Sequence, residues 1–336
     1  MNKLKYIFRR LRNMDYLSFF ITIKKVHLKT NKNSLIIFFD IIYCGFKYMA
    51  GYVDYDVFEF YNLNKQQRKT IMTRGINNNF VKMLNDKDYF KYIDNKILFN
   101  KKYNRYLKRD WIDLRECSLD NFIKFITNKK VVMVKAADLC CGKKIEKIVY
   151  NDDLLLEKLY NKLLENKQYL IEEYVYQHDN LNKLYPESVN TLRIVSILKD
   201  NKVYIPFTGL RIGNLGNVVD NFNHGGLFVP INEKGIIEDQ AIDKQGNLYE
   251  YHPYTNTKIL GYKIPFFNEA INLVKELSTI TPEIRYTAWD IAITNNGPVV
   301  IEANPFPGHD LYQSKINVIK NKVGVLPTFE TILLSN

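Results

Sequence analysis

The segment that most constrains this chain is residues 289–308, WDIAITNNGPVVIEANPFPG. YTAWDIAIT (286–294) has the alternation of a strand, Asn295-Asn296-Gly297 reads as a hairpin turn, and PVVIEAN (298–304) returns as its partner. Side chains at 302 and 304 share one face because a strand repeats every two residues. Asp290 joins them from the facing strand if the turn pairs the strands tightly. Two carboxylates and an amide on one face make an oxygen-ligand set suited to Mg²⁺ bridging phosphates. A solvated hairpin face would carry similar residues, yet Glu302 stands where the apolar run 299–301 would otherwise continue.

Two further constellations point the same way. In KAADLCCGKKI (135–145), Lys135 ends an expected strand over 131–134, and Gly142 lets the backbone approach a ligand closely. Lys143 and Lys144 are suited to neutralising phosphate as point charges. The loop matches neither a Walker A sequence nor a dinucleotide fingerprint, and an exposed basic turn would read the same way. Arg193, in LRIVSIL, and Arg211, in GLRIG, fall in consecutive expected strands joined at Asp200-Asn201. If they face one side they form a clamp for a transferred phosphate or a substrate carboxylate. Pro206 marks the second of these strands as bulged or at an edge. The glycine-ended loop 220–226, DNFNHGG, is placed to cover a site, with His224 orienting the loop or touching substrate. The five histidines lack a zinc-ligand cluster.

The rest of the 336 residues bounds these readings. With 46% hydrophobic residues, 20 Phe and 24 Tyr, the chain has ample core material for two or three subdomains, which excludes a disordered or fibrous protein. The four cysteines (Cys44, Cys117, Cys140, Cys141) show no metal-ligand spacing, so a reduced intracellular protein is expected. Ten of the Lys and Arg lie within residues 1–50, against Asp15 and Asp40 alone, and supply two-thirds of the net +12. A nucleic-acid partner is not expected, since the charge is terminal and not spread over a recognition surface. A basic, aromatic opening suits docking on an anionic membrane surface or an acidic partner. The longest apolar run, 35–46, contains Asp40 and falls short of the roughly 20 residues of a membrane span. The opening also lacks a secretory signal, so the expected location is cytoplasmic, with a peripheral position at the inner face of the membrane as an option. Residues 1–94 read as a helical region, 95–130 as a linker with the start of the catalytic module, 131–180 as a nucleotide subdomain and 181–336 as a catalytic subdomain. Phe266 begins a further helix, and residues 151–165 another, capped by an Asp or Asn at its start.

Taken in order, VVMVKAADLCCGKKI, YLIEEYVYQHDNL, ESVNTLRIVSI, GLRIGNLGNVVDNFNHGG, GYKIPFFNEA and WDIAITNNGPVVIEANPFPGHD resemble the sugar-transfer-associated branch of the ATP-grasp enzymes over roughly residues 95 to 325. The resemblance implies an α+β ATP-grasp fold, two α+β lobes clasping ATP, behind a helical N-terminal region. It implies ATP and Mg²⁺ as cofactors, with Asp290, Glu302 and Asn304 as metal ligands. Lys135 is similar to the lysine that reaches the ATP phosphates, and the loop through Gly142 and Lys144 resembles the lid. Glu172 to Val175 resembles the adenine-binding hinge, read through the backbone of Glu173 and Val175, with Glu172 or His178 on the ribose side. Arg193 and Arg211 resemble the arginines at the transferred phosphate, and Lys101 or Lys102 supplies a further phosphate contact. The lid departs from the usual pattern, with Ala136 and Cys140-Cys141 where proline, glycines and serines are common. The implied activity is carboxylate–amine ligation through an acyl phosphate in cell-surface polysaccharide assembly, the alternatives being an ATP-dependent phosphotransferase of the same fold or a nucleotide-binding scaffold in a membrane-associated glycan assembly complex. Its partners would be a small-molecule or glycan-linked carboxylate, an amine, and glycan-biosynthesis proteins docking through residues 1–50.

Overall fold

A computed structural model describes residues 12, 14–137, 145–217, 219–314 and 321–334. The chain forms two compact units, residues 1–83 with 308–336, and residues 84–307. These boundaries differ from the expected ones at both ends. Residues 84–94 belong with the sheets, because the buried Asn85 amide donates to the carbonyls of Tyr286 and Pro305 at 2.7 Å and its oxygen accepts from the Tyr286 N–H. The last segment belongs with the helices. Gln313 exchanges two hydrogen bonds with the Met72 backbone, and Phe329 stacks on Phe80.

The first unit is helical. Tyr16–Thr30 starts at Asp15, whose carboxylate accepts the Ser18 N–H, and stops at Asn31 in a left-handed conformation. Ser34–Tyr48 is capped in the same manner by Asn33 and Met49. The two helices pack through Phe19, Ile23, Val26, Ile37, Ile41 and Cys44, all buried. Asp40, the one acid in that apolar second helix, is held at both oxygens by Arg68 at 2.7 Å and by the Tyr55 hydroxyl at 2.8 Å. Among the described residues no helix is long and apolar enough to cross a membrane.

The second unit holds two antiparallel sheets. The smaller is built from β1 (Trp111–Asp113), β2 (Val131–Lys135), β3 (Ile145–Val149) and β4 (Leu170–Glu173), in the order β1-β4-β2-β3. Its alternation has direct consequences. Val132, Val134 and Ile171 point into a core with Phe122 and Ile126 of the helix Leu119–Lys129 and Leu163 of the helix Leu156–Glu165. Met133, Lys135 and Glu172 therefore emerge on the opposite face. The second of those helices starts later than its sequence suggests, at Leu155 without a side-chain cap, so Asp152 and Asp153 fall outside it.

The larger sheet runs β11-β10-β5-β6-β7-β8-β9. Its main strands are β5 (Thr191–Lys199), β6 (Lys202–Ile212), β7 (Leu227–Pro230), β10 (Tyr286–Thr294) and β11 (Gly297–Asn304), with the short β8 (Ala241–Ile242) and β9 (Leu248–Tyr249) at one edge. Asp200 and Asn201 both take positive φ in the β5–β6 turn, as a type I′ hairpin requires. Pro206 falls in a bulge, where the pairing shifts from Val195–Phe207 to Ile197–Tyr204. One face buries Ile194, Leu210, Trp289, Ile291 and Val300 under the helix Phe267–Leu277. Trp289 lies edge-on to Tyr103 at 5.7 Å and donates its ring N–H to Ser196 Oγ at 2.9 Å. Trp289→Phe removes that buried bond and is expected to cost about 1–3 kcal/mol, read as a lower denaturant midpoint with an unchanged slope in equilibrium unfolding.

Candidate active site

Strand register decides which polar side chains share a face. Asp290 on β10 lies directly opposite Arg193 on β5 and directly opposite Glu302 on β11. The second pairing depends on a bulge. From the turn to Ile291–Val300 the hairpin is in simple register, which continued would set Asp290 against Ile301 and Glu302 against Trp289 on the core face. The shift between Asp290 and Ile291 leaves Ile301 as the extra residue and turns Glu302 and Asn304 onto the Asp290 face.

The extra residue needs its backbone satisfied, and Arg109 does this. The helix Lys96–Leu107 ends at Lys108 in a left-handed conformation, and the buried Arg109 follows. Its guanidinium donates to the carbonyls of Val300 at 2.7 Å and Ile301 at 3.2 Å. It also donates to Glu172 Oε1 at 3.0 Å through Nε and 2.7 Å through Nη2. Lys135 pairs with the other oxygen of Glu172, and the Asn100 amide donates to Oε1 at 2.9 Å. Burial would raise the Glu172 carboxyl, but Arg109 and Lys135 outweigh it and hold the group at about 2.

A second buried network lies across the cleft. Arg211 donates to Asp290 Oδ2 at 2.7 Å and to Thr191 Oγ1 at 2.7 and 3.0 Å, and lies 3.5 Å from Asp220. Asp220 accepts the Thr191 N–H at 2.9 Å and its hydroxyl. Arg193 Nε approaches Asp290 Oδ1 to 3.1 Å as an ion pair. The angle is not that of a hydrogen bond, so both atoms are buried without one. Burial pushes Asp290 up to about 6; Arg193 and Arg211 act against this, and Glu302 and Asp220 add to it. Glu302 is held below the usual carboxylate range: burial opposes this, and the charges of Lys96, Lys135, Arg211 and Arg193 prevail.

Lys135, Arg109, Glu172, Arg211, Asp220 and Glu302 line an open cleft of about 790 Å³, counted out to solvent, and Asp290, Arg193 and Asn304 are not part of its lining. Its apolar wall is Met133, Ile145, Tyr174 and Val175. Among the described residues no three His, Cys, Asp or Glu side chains gather as a metal cluster. The donor set is instead two carboxylates and an amide. In kind it fits a small hard cation, and Asp290 Oδ1 is buried with no hydrogen bond. Asn304 is anchored by accepting the Phe306 N–H at 2.7 Å.

The structure thus gathers Lys135, Glu172, Glu173, Val175, Arg193, Arg211, Asp290 and Glu302, with Asn304 next along the same strand face. Other expected residues lie elsewhere. His178 caps the helix Asp179–Leu184 through Nδ1, against the Phe266 ring, and does not line the cleft. His224 is exposed on the loop beyond Asp220 and Asn221. Lys101 pairs with Glu116, and Lys102 sits over the Tyr92 ring, so neither lines the cleft. Gly142, Lys143, Lys144, Cys140 and Cys141 lie outside the described residues. Arg109, Asn100, Thr191 and Asp220 were not singled out by the sequence as functional side chains. Nothing local separates Arg109 from Arg105 or Lys108; only the chain reversal at Lys108 does.

Two α+β layers facing a cleft whose carboxylates come from a C-terminal hairpin define the ATP-grasp fold. The sequence matches the family described as sugar-transfer associated ATP-grasp over residues 122–329, more than half of the chain, and the protein belongs to that family. No curated protein matches it. Solved structures similar to it include D-alanyl-alanine synthetase A from Vibrio cholerae, at 12% identity and a TM-score of 0.42, over 72% of this chain and 60% of that one. N5-carboxyaminoimidazole synthetase from Staphylococcus aureus, complexed with ADP, is similar at 14% identity and a TM-score of 0.44, over 66% and 48%. The ATP-grasp ligase PsnB, complexed with minimal precursor, is similar at 11% identity and a TM-score of 0.46, over 81% and 72%. The chain thus spans less than two-thirds of the length of the first two.

The depressed Glu172 carboxyl makes a signed prediction. Its ordinary value is 4.5 and its folded value about 2, so it adds stability that is fully present above pH 4.5 and is lost as pH falls towards 2. The contribution is about 3 kcal/mol. Denaturant titrations across that window should show a steep loss in the wild type and a flatter profile in Glu172→Gln. The variant should also be less stable by about 3–5 kcal/mol at pH 7, because Arg109 and Lys135 lose their buried partner.

Proposed function

We propose that this protein is an ATP-dependent carboxylate–amine ligase that forms an amide through an acyl phosphate. Its substrate is a sugar acid or an amino-acid substituent of one, in the assembly of a cell-surface polysaccharide such as capsule. The observation that carries this reading is the pairing of Arg193 and Arg211 on Asp290, directly opposite Glu302, with Arg211 and Glu302 lining one cleft with Lys135. Family membership supports the ATP-dependent chemistry, and the polysaccharide setting follows from the sugar-transfer description alone.

The roles follow from the geometry. Met133, Ile145, Tyr174 and Val175 offer an apolar slot for a purine at the end of β4. Lys135, aimed by Glu172, meets the phosphates as a point charge. Asp290, Glu302 and Asn304 would hold Mg²⁺, which when bound supplies charge neutralisation at the phosphate oxygens. Arg211 is fixed by Thr191 and Asp290 before any substrate arrives, so it need not reorganise to meet developing negative charge. A substrate carboxylate oxygen attacks the γ-phosphorus and ADP leaves. The amine then attacks the acyl carbon, and the acyl C–O bond breaks to release phosphate and the amide.

Calorimetric titration of Mg·ATP is expected to show binding that Glu302→Ala weakens at least tenfold. ADP release across panels of sugar acids and amines should require both a carboxylate and an amine. Absence of carboxylate-dependent ADP release would overturn the ligase reading. A stable phosphorylated product formed without an amine would make the protein a phosphotransferase of the same fold.

A further inference from the structure

The helical unit has a feature that nucleotide chemistry does not use. The helix Ser34–Tyr48 buries Ile37, Ile41 and Cys44 on one face, yet Leu35, Ile36 and Phe39 on its other face are 68%, 64% and 65% exposed. A helix apolar on both faces is expected where both faces are covered. The neighbouring helix repeats the pattern, with Leu17 73%, Phe20 57% and Leu28 70% exposed opposite Phe19, Ile23 and Val26. The two helices meet through Phe19 and Phe38, whose rings lie edge-on at 5.7 Å, and the exposed Phe20 and Phe39 adjoin those two rings at 5.4 and 5.3 Å. Exposed apolar surface of this extent on adjacent helices marks an interaction site.

Charge identifies the occupant. Residues 1–50 hold ten Lys or Arg and only Asp15 and Asp40 as acids. Asp40 is taken by Arg68, and Asp15 is occupied by Ser18. Lys25 and Lys29 pair with Asp56, while Arg12, Lys24 and Lys47 are exposed. Aromatic and aliphatic side chains flanked by basic groups, on helices lying side by side and too short to span, match the surface of an anionic bilayer. We propose that the outer face of the helices Tyr16–Thr30 and Ser34–Tyr48 docks the protein on an anionic lipid surface, inserting Phe20 and Phe39 at the headgroup boundary. This rests on the helical unit alone and is independent of the ligase reading.

Co-sedimentation of the full chain with vesicles tests it, using pure phosphatidylcholine against phosphatidylcholine with about a third phosphatidylglycerol. Binding is expected to the anionic vesicles only and to weaken as salt rises. The double variant Phe20→Asp/Phe39→Asp should bind at least tenfold more weakly, with Mg·ATP binding and thermal midpoint as controls for folding. Both side chains are largely exposed, so the fold should survive the change. Equal sedimentation of variant and wild type would overturn the proposal, as would failure of a folded wild type to bind either vesicle. Light scattering that finds a vesicle-indifferent dimer abolished by the double variant would assign the face to a second copy of the chain instead.

Discussion

Arg109 satisfies three demands with one guanidinium. It neutralises the buried Glu172, it caps the two carbonyls exposed by the bulge in β11, and in doing so it joins the small sheet to the large one at the floor of the cleft. Lysine could not replace it, because a single ammonium cannot reach a carboxylate and two carbonyls in different planes. The geometry of the site follows from this contact. Glu172 orients Lys135, and the bulge that Arg109 stabilises turns Glu302 towards Asp290.

The cleft is also balanced in charge. Arg109, Lys135, Arg193 and Arg211 face Glu172, Asp220, Asp290 and Glu302. Their mutual attraction offsets the large penalty of taking such groups out of water, provided each is held in place. Asp290 shows what burial costs in such a network: two arginines pair with it, yet burial raises its carboxyl to about 6 and one of its oxygens lacks a hydrogen bond.

Much of this was legible in the sequence. The Asn295-Asn296-Gly297 hairpin, the Asp200-Asn201 turn and the bulge at Pro206 could be read because turn chemistry and strand alternation are local, whereas alternation alone would have put Glu302 on the core face, and the bulge that turns it to Asp290 has no local signal. What escaped was set by distant contacts. Arg109 looks like any basic residue at a helix end until the chain reverses at Lys108. Thr191 and Asp220 lie 29 positions apart and meet only through the fold. His178 and the lysines at 101 and 102 were placed by resemblance, and local partners hold them elsewhere: a helix cap, Glu116 and the Tyr92 ring. The helical unit hid its extent because the interactions that draw residues 308–336 to it, such as Gln313 with Met72, join opposite ends of the chain.

The extra residue at Ile301 gives the last strand something like a reading frame. The side chain there can vary in kind, since what Arg109 grips is the carbonyl. Straightening the strand at its present length would rotate Glu302 into the oily side of the sheet beside Trp289, whereas losing the extra residue outright would leave simple register with Glu302 still opposite Asp290. Length and bulge therefore have to change together in this strand, and a change in one alone costs the site its second carboxylate.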